Sequence, residues 1–223
     1  MCFPSFVSLK SITFAAQSIR AMKLILLSTS DFFVEEDTII NALFEEGLDL
    51  LHLRKPNSEP VYSERLLTLL PEQWHSRIVV HEHFYLKEEF NLRGIHLSDQ
   101  HPEPPAGYTG QLSCSCHDLD SLSRARQQMD YVFLSPVFDS ISYPDRHAAY
   151  SDQQLRDAAH AGLIDRKVMA AGGINADTLP LLADYGFGGA VVLGDLWTRF
   201  NIHSGLDYKE VIAHFRKLRK AAG

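Results

Sequence analysis

The chain has 223 residues, of which 45% are hydrophobic, 10% aromatic and 22% charged. This length and composition suit a globular protein with a sizeable core and exclude disordered, collagen-like and coiled-coil rod proteins. The 21 Lys and Arg residues against 28 Asp and Glu give a net charge of −7, which argues against a nucleic-acid or anionic-membrane partner. A local cluster of cations could still hold a small anionic substrate.

Residues 1–21 form a leader that we exclude from the predicted fold. The leader is apolar and Ser-rich, but no basic residue precedes its apolar part and Lys10 interrupts it, which disfavours a signal or transit peptide. We expect a disordered tail or a translation start counted too early. No stretch reaches the ~18 apolar residues of a membrane-spanning helix. Cys2, Cys114 and Cys116 are too few for a disulfide framework, so we expect a cytoplasmic protein.

From Met22 onward, short apolar runs alternate with helical patterns. Eight runs are rich in β-branched and large apolar residues and mostly lack alternation, which is typical of parallel strands covered on both faces. They lie at 23–28, 48–54, 77–81, 94–97, 111–115, 131–135, 167–171 and 189–193. Helical patterns lie between them at 35–46, 59–70, 84–91, 118–128, 152–162 and 176–185, and at the end at 207–221.

The crossover at 98–110 contains three prolines and is predicted to be a loop. Eight strands with interleaved helices predict a single α/β domain over residues 22–223, a (β/α)₈ TIM barrel. An open doubly wound sheet is the alternative.

Functional residues of such barrels lie where the strands end, at the C-terminal face. Polar residues follow successive predicted strands, at 52–55, 81–83, 96–99, 115–117 and 135. Because side chains alternate along a strand, Leu50, His52 and Arg54 share one face. If that face lines the lumen, His52 and Arg54 point into the barrel mouth, and Arg54 can clamp an anion. The alternative is a salt bridge from Arg54 to Asp49 or Glu82.

Two patterns raise the question of a metal. Cys114 and Cys116 lack the usual spacing and a second pair, and we expect them to pack behind the barrel wall. His81, His83 and His96 could converge on an ion, but imidazoles that simply line a polar mouth are favoured. Glu82 can serve as a general base, as an oxygen ligand of Mg²⁺, or as a surface carboxylate at the start of a helix.

Glycines end the last two predicted strands. Gly172 and Gly173 precede Asn175, a residue suited to cap a helix, and Leu193-Gly194 follows the eighth strand. Glycines let backbone N–H groups approach a ligand, a helix N-terminus favours an anion, and loops seven and eight of such barrels recurrently bind phosphate. The sequence therefore predicts a phosphate cup here, and the alternative is that the glycines only turn a corner.

Six blocks in this order resemble thiamine phosphate synthase and its TenI-type relatives, over almost everything from Met22 to the end. The family's Gln-x-Arg-x-Lys strand resembles residues 52–56, and its Gly-Val-His-Leu strand resembles residues 94–97. Its Ser-x-His turn matches residues 115–117, and its Asp-Tyr-Val-x-x-Gly-Pro-x-Phe segment resembles residues 130–138. Its Gly-Gly-Ile and terminal Gly-x-x-x-Val blocks match residues 172–174 and the run from Gly189.

The resemblance implies that thiazole phosphate contacts the loops that follow strands six, seven and eight. These contacts would come from Ser140, Ser142, Gly172, Gly173, Leu193 and Gly194. It also implies that Arg54 faces the pyrophosphate of an aminopyrimidine substrate and that Ser115 lies near the pyrimidine. In the implied reaction pyrophosphate departs with the help of Mg²⁺, and the thiazole nitrogen attacks the resulting pyrimidinyl-methyl cation.

The chain departs from the family pattern at the pyrophosphate end. His52 stands for the family's Gln, Pro56 with Lys55 beside it for the first Lys, and His81-Glu82 for an Asn-Asp pair. The second metal-binding Asp falls near His101, with Asp99 close by, and Tyr143 stands for a later Lys. Glu82 and Asp99 are therefore the candidate metal ligands.

Three function classes follow. The first is a divergent synthase that uses Arg54, Lys55 and imidazoles, with Glu82 as a metal ligand. The second is a thiazole phosphate isomerase with His52, His81 or His117 as proton carrier, although Pro136 stands where TenI-type enzymes use a His. The third is a non-catalytic binder of thiazole or thiamine phosphate. The expected partners are small phosphorylated thiamine precursors, and the sequence leaves a homodimer open.

Overall fold

The computed structural model describes residues 21–143, 145–200 and 208–223. Eight parallel strands pair in chain order and close into a barrel, because β8 pairs with β1, Lys23 opposite Gly189. The strands are β1 (Lys23–Leu27), β2 (Leu50–Leu53), β3 (Ile78–Val80), β4 (Gly94–Leu97), β5 (Gln111–Cys116), β6 (Tyr131–Leu134), β7 (Val168–Ala171) and β8 (Gly189–Val192). The predicted (β/α)₈ barrel is confirmed, and the open-sheet alternative is wrong.

The helices surround the barrel. They are α1 (Glu36–Glu45), α2 (Pro60–Leu69), α3 (Leu86–Glu89), α4 (Leu119–Ala125), α5 (Asp152–His160), α6 (Leu179–Asp184), α7 (Gly194–Trp197) and α8 (Lys209–Ala221). No helix in these parts of the chain is long and apolar enough to span a membrane. Residues 1–20 of the predicted leader lie outside the described residues.

Two helical segments differ from the sequence prediction. A 3₁₀ helix at Glu72–Arg77 was not predicted. The helix predicted from residue 176 begins at Leu179, after a turn in which Asn175 Oδ1 accepts hydrogen bonds from the N–H groups of Asp177 and Thr178, each at 2.9 Å. The Asn175 carbonyl oxygen also accepts from the N–H of Leu179 at 3.0 Å, so Asn175 caps the turn that leads into the helix, as expected. The crossover at 98–110 contains no helix, as expected.

The core has two layers, separated by the barrel wall. Leu24 and Leu26 belong to the larger cluster between the strands and helices. The smaller cluster fills the lumen and consists of Ile25, Leu50, Tyr131, Phe133, Met169 and Val191. The same alternation places Cys116 in the outer layer with Cys114 packed against it, both as free thiols. The expectation that these cysteines lie behind the barrel wall is confirmed.

Candidate functional site

The C-terminal mouth of the barrel contains a cavity of about 440 Å³. Strand ends and the loop after β6 form its wall. The cavity is lined by eight residues that the sequence analysis had singled out, namely Arg54, His117, Ser140, Ser142, Gly172, Gly173, Leu193 and Gly194. The structure thus brings together the predicted anion clamp and all six predicted phosphate-binding residues.

The glycine pair after β7 is required by close packing against the loop after β6. Gly172 and Gly173 have φ angles of +89° and +67°. A Cβ at Gly173 would collide with the Asp139 carbonyl oxygen and the Phe138 Cβ. The N–H of Phe138 also donates to the carbonyl of Gly172, at 3.2 Å. Glycine is therefore needed here both for its backbone conformation and for the close approach of a neighbouring loop.

Two guanidinium groups reach the same cavity. The predicted alternative for Arg54 is not formed, because Asp49 pairs with Arg219 at 2.7 Å and Glu82 Oε2 accepts from the backbone N–H of Lys55 at 2.8 Å. Among the described residues the Arg54 guanidinium has no ion-pair partner, and it lies at the cavity wall.

The second guanidinium belongs to Arg146, which sequence analysis missed. Its side chain lies over the Tyr143 ring, 4.5 Å from the centroid, and lines the cavity. Its carbonyl accepts a hydrogen bond of 2.8 Å from Ser140 N–H, which ties this cation to the predicted Ser140–Ser142 loop. The sequence did contain a signal for Arg146. It lies three residues after Tyr143, the residue that stands for a Lys of the family pattern.

Three histidines meet in the lumen below this cavity. His52, His81 and His96 come from β2, the end of β3 and β4, and all three are buried. His52 Nδ1 lies 3.0 Å from His81 Nε2, and the His81 and His96 rings stack with centroids 4.2 Å apart. His52 Nε2 lies 2.7 Å from the Tyr131 hydroxyl. The predicted catalytic His52 and His81 therefore form a floor beneath the cavity and do not line its wall.

Hydroxyl groups complete the histidine cluster. His96 Nδ1 lies 2.9 Å from Ser113 Oγ, and His96 Nε2 lies 3.0 Å from Ser115 Oγ. The predicted site residue Ser115 thus contacts His96. His83 does not join the cluster, because its Nε2 lies 2.9 Å from the carbonyl oxygen of Ser58. His52 takes the place that the sequence analysis had given to His83.

Burial controls the protonation of this cluster. Burial, reinforced by the neighbouring His96, lowers the pKa of His52 well below its ordinary value, and burial does the same for His81. Burial and the charge of Arg54 lower the pKa of His96 to about 3. All three imidazoles are therefore neutral at neutral pH and can each donate one hydrogen bond and accept one.

Lys55 is placed differently from its predicted catalytic role. Its Nζ lies 2.6 Å from Glu36 Oε1 and 2.8 Å from the carbonyl oxygen of Asp31, and the Lys55 and Glu36 side chains are only 1% and 2% exposed. The Phe32 ring lies 4.4 Å from the same Nζ. Lys55 is directed away from the cavity because Arg54, one residue earlier, faces it. Its role is to hold the mouth together.

The two candidate metal ligands follow neighbouring strands. Glu82 lies just after β3, where one carboxylate oxygen accepts from Lys55 N–H and the other has no partner among the described residues. Asp99 lies just after β4, is exposed, and makes no side-chain hydrogen bond within the described part of the chain. Both carboxylates thus lie at the C-terminal ends of their strands, and neither is among the residues that line the cavity.

Residues 25–196 match the family model described as thiamine monophosphate synthase, which covers most of the barrel. The chain belongs to this family. Among solved structures, it is similar to the thiamine phosphate pyrophosphorylase from Bacteroides thetaiotaomicron, with 56% identity, a TM-score of 0.84, and coverage of 90% of this chain and 98% of that one. The thiamine phosphate pyrophosphorylase from Pyrococcus furiosus shares the fold, with 18% identity and a TM-score of 0.69 over 90% of this chain and 95% of that one.

Curated relatives in the thiamine monophosphate synthase family are more distant. The chain is 28% identical to a thiamine-phosphate synthase from Synechococcus sp. (strain WH7803) over 66% of this chain and 43% of that protein. It is 22% identical to the thiamine-phosphate synthase of Limosilactobacillus reuteri (strain DSM 20016) over 64% of each. The chain therefore spans less than two thirds of either relative's length.

We predict that the Lys55–Glu36 pair stabilises the fold. Lys55→Met leaves a buried carboxylate without its cation and should lower the free energy of unfolding by about 3–5 kcal/mol. The double variant Lys55→Met/Glu36→Leu should recover most of that loss, because neither buried charge remains. Urea unfolding of the three proteins measures both effects. A double variant as unstable as Lys55→Met would contradict the buried-charge explanation.

We also predict that stability falls with acidification below about pH 6.5. The unfolded chain binds protons on these imidazoles near the ordinary pKa of about 6.5, whereas the folded protein resists protonation, so each histidine contributes up to about 1.4 kcal/mol per pH unit. The double variant His52→Gln/His81→Asn removes two of these proton-binding groups. It should therefore reduce the slope of unfolding free energy against pH by the equivalent of about two bound protons. Urea unfolding between pH 6.5 and 4.5, with EDTA present, measures it.

Proposed function

We propose that this protein is a thiamine-phosphate synthase, which joins an aminopyrimidine pyrophosphate to thiazole phosphate. In this reaction the bond between the pyrimidine methylene carbon and the pyrophosphate oxygen breaks, and pyrophosphate leaves with the electron pair. The thiazole ring nitrogen then supplies its lone pair to the methylene carbon, which forms the new C–N bond. The products are thiamine phosphate and pyrophosphate.

The observation that carries this proposal is the composition of the 440 Å³ cavity at the mouth. One wall consists of backbone at Gly172, Gly173 and Gly194, and the facing loop presents Ser140 and Ser142. Arg54 and Arg146 supply positive charge to the same space. The phosphate of one substrate and the pyrophosphate of the other are both anionic, and backbone donors together with two guanidinium groups can bind both. The 56% identity with a structure called a thiamine phosphate pyrophosphorylase supports the same assignment.

The glycine wall suits the thiazole phosphate. Backbone N–H groups can approach phosphate oxygens there because no side chain intervenes, and α7 begins at Gly194, where a helix start favours negative charge. Ser140 and Ser142 add hydroxyl donors. This site needs no metal because its donors are uncharged and fixed by the barrel.

Arg54 suits the pyrophosphate. A guanidinium can donate two hydrogen bonds to a phosphate group and stabilise the charge that develops on the leaving oxygen. Arg146 can do the same from the opposite loop. His117, whose Nδ1 lies 3.1 Å from the Ser135 carbonyl oxygen, also lines the cavity and can orient substrate by hydrogen bonding.

Glu82 and Asp99 fit the Mg²⁺ that the family implies. Mg²⁺ prefers carboxylate oxygens, takes one or two of them together with substrate phosphates, and keeps several waters. The free Glu82 oxygen and the unpaired Asp99 carboxylate meet this requirement, whereas the buried imidazoles do not. When bound, Mg²⁺ would neutralise charge on the departing pyrophosphate.

The remaining candidate residues act from behind the cavity wall. His52 and His81 form the polar floor under the space we assign to the pyrimidine, and Ser115 orients His96. Lys55 is a positioning residue for Arg54. The isomerase alternative requires a proton carrier in contact with thiazole phosphate, and His117 is the one histidine that lines the cavity among the described residues.

We predict that the purified protein makes thiamine phosphate and pyrophosphate from both precursors with Mg²⁺. Arg54→Ala should reduce kcat/KM by about 10²-fold or more, because it removes positive charge from the leaving group. Arg65→Ala, at an exposed site on α2, should retain full activity. Absence of product would refute the synthase proposal, and proton exchange on the thiazole without product would favour the isomerase.

We also predict that thiazole phosphate stabilises the protein without Mg²⁺. Ligand at a hundred times its Kd adds about 2.7 kcal/mol, which raises Tm by roughly 5–10 °C for a domain of this size. Unphosphorylated thiazole should give a much smaller shift.

The matched variants for this test are two serine substitutions. Ser142→Asp places a negative charge at the cup and should remove the Tm shift, whereas Ser76→Asp, on an exposed surface, should keep it. Gly173→Val is unsuitable, because its side chain would meet the β6 loop and not an empty phosphate site. Equal shifts with phosphorylated and plain thiazole would show that no phosphate cup exists.

A further inference from the structure

The histidine cluster in the lumen brings three ring nitrogens close enough together to share one ion. One ring nitrogen each from His52, His81 and His96 lies within 4.8 Å of the other two. The three rings come from neighbouring strands, so the barrel wall fixes their spacing. Their burial excludes the bulk water that would otherwise compete for the nitrogens.

We propose that His52, His81 and His96 form a binding site for a transition-metal dication, Zn²⁺ in the first instance. Three imidazole nitrogens and one open position are a recurrent Zn²⁺ arrangement, and nitrogen ligands select Zn²⁺ over Mg²⁺. This site is separate from the carboxylates Glu82 and Asp99, which suit Mg²⁺. It does not depend on the proposed synthase activity.

The distances permit a metal with small movements. Nitrogens bound at about 2.0–2.1 Å to a tetrahedral ion lie roughly 3.3 Å apart. His52 Nδ1 and His81 Nε2 are 3.0 Å apart, so these two rings need to separate by only a few tenths of an ångström. His96 must move further. The ion would take the place of the proton that lies between His52 and His81, and that proton would move to the other nitrogen of the same ring.

The outer hydrogen bonds suit metal-bound imidazoles. A histidine that binds a metal through one nitrogen carries a proton on the other and needs an acceptor for it. If His52 binds through Nδ1, its Nε2–H can donate to the Tyr131 oxygen at 2.7 Å. His96 has a serine hydroxyl beside each ring nitrogen, so it can bind the metal through one and donate to a serine from the other.

The fourth position would take an anionic oxygen. Three neutral imidazoles leave the dication's charge uncompensated, and Arg54, whose charge acts on both His81 and His96, adds to it. Hydroxide or a phosphate oxygen that reaches down from the mouth would offset this charge. His81 is the least buried of the three histidines, at 5% exposure, so access is from its side.

The test uses Co²⁺ as a spectroscopic probe for the Zn²⁺ site. Chelator-treated full-length protein should bind one equivalent of Co²⁺ with the visible absorption of a tetrahedral nitrogen site, and Zn²⁺ should displace it. His52→Gln and His81→Asn, which introduce residues that the family pattern carries, should each weaken Co²⁺ binding at least tenfold. His83→Asn, at a neighbouring histidine outside the cluster, should leave binding unchanged.

X-ray absorption on the Zn²⁺-loaded wild-type protein keeps the proposal testable if a variant fails to fold. The expected spectrum shows imidazole nitrogens at about 2.0–2.1 Å, whereas binding by Cys114 and Cys116 would give sulfur at about 2.3 Å. The proposal is overturned by a sulfur or oxygen-only shell, by no stoichiometric Co²⁺ binding, or by equal weakening in His83→Asn.

Discussion

The barrel mouth depends on one buried cation, Lys55. Its ammonium joins Glu36 on α1 to the carbonyl oxygen of Asp31 in the loop after β1, while its backbone N–H binds Glu82 after β3. Three segments that are distant in sequence therefore meet at one residue. Because the preceding residue of an extended segment faces the other way, the same anchorage directs Arg54 into the cavity. The contacts of Lys55 therefore fix the direction in which Arg54 points.

The site has two ends built by different means. One end is mainly backbone, where Gly172 and Gly173 have positive φ and pack closely against the loop after β6. The opposite end consists of side chains, with Arg54 above and a neutral imidazole cluster below. Backbone recognises the charge and shape of a phosphate, whereas side chains can be exchanged one at a time.

The sequence predicted most of the fold, because apolar runs without alternation indicate parallel strands that are covered on both faces. Eight such runs with helices between them are typical of a closed barrel. It also placed Arg54, His117 and the six predicted phosphate contacts at one mouth. It did not predict that Lys55 turns away, because the partner Glu36 precedes it by 19 residues on another element. Nor did it group His52 with His81 and His96, since lumen depth depends on strand register. Arg146 was missed because its loop has no periodic pattern.

The division between backbone and side chains at the mouth has an evolutionary consequence. A glycine held at positive φ against a neighbouring loop has few acceptable replacements, so the glycine wall of this cavity resists drift. The histidine floor is built from side chains, and each of them can be exchanged without a change in backbone conformation. Descendants of this barrel can therefore change the floor of the cavity while its glycine wall stays the same.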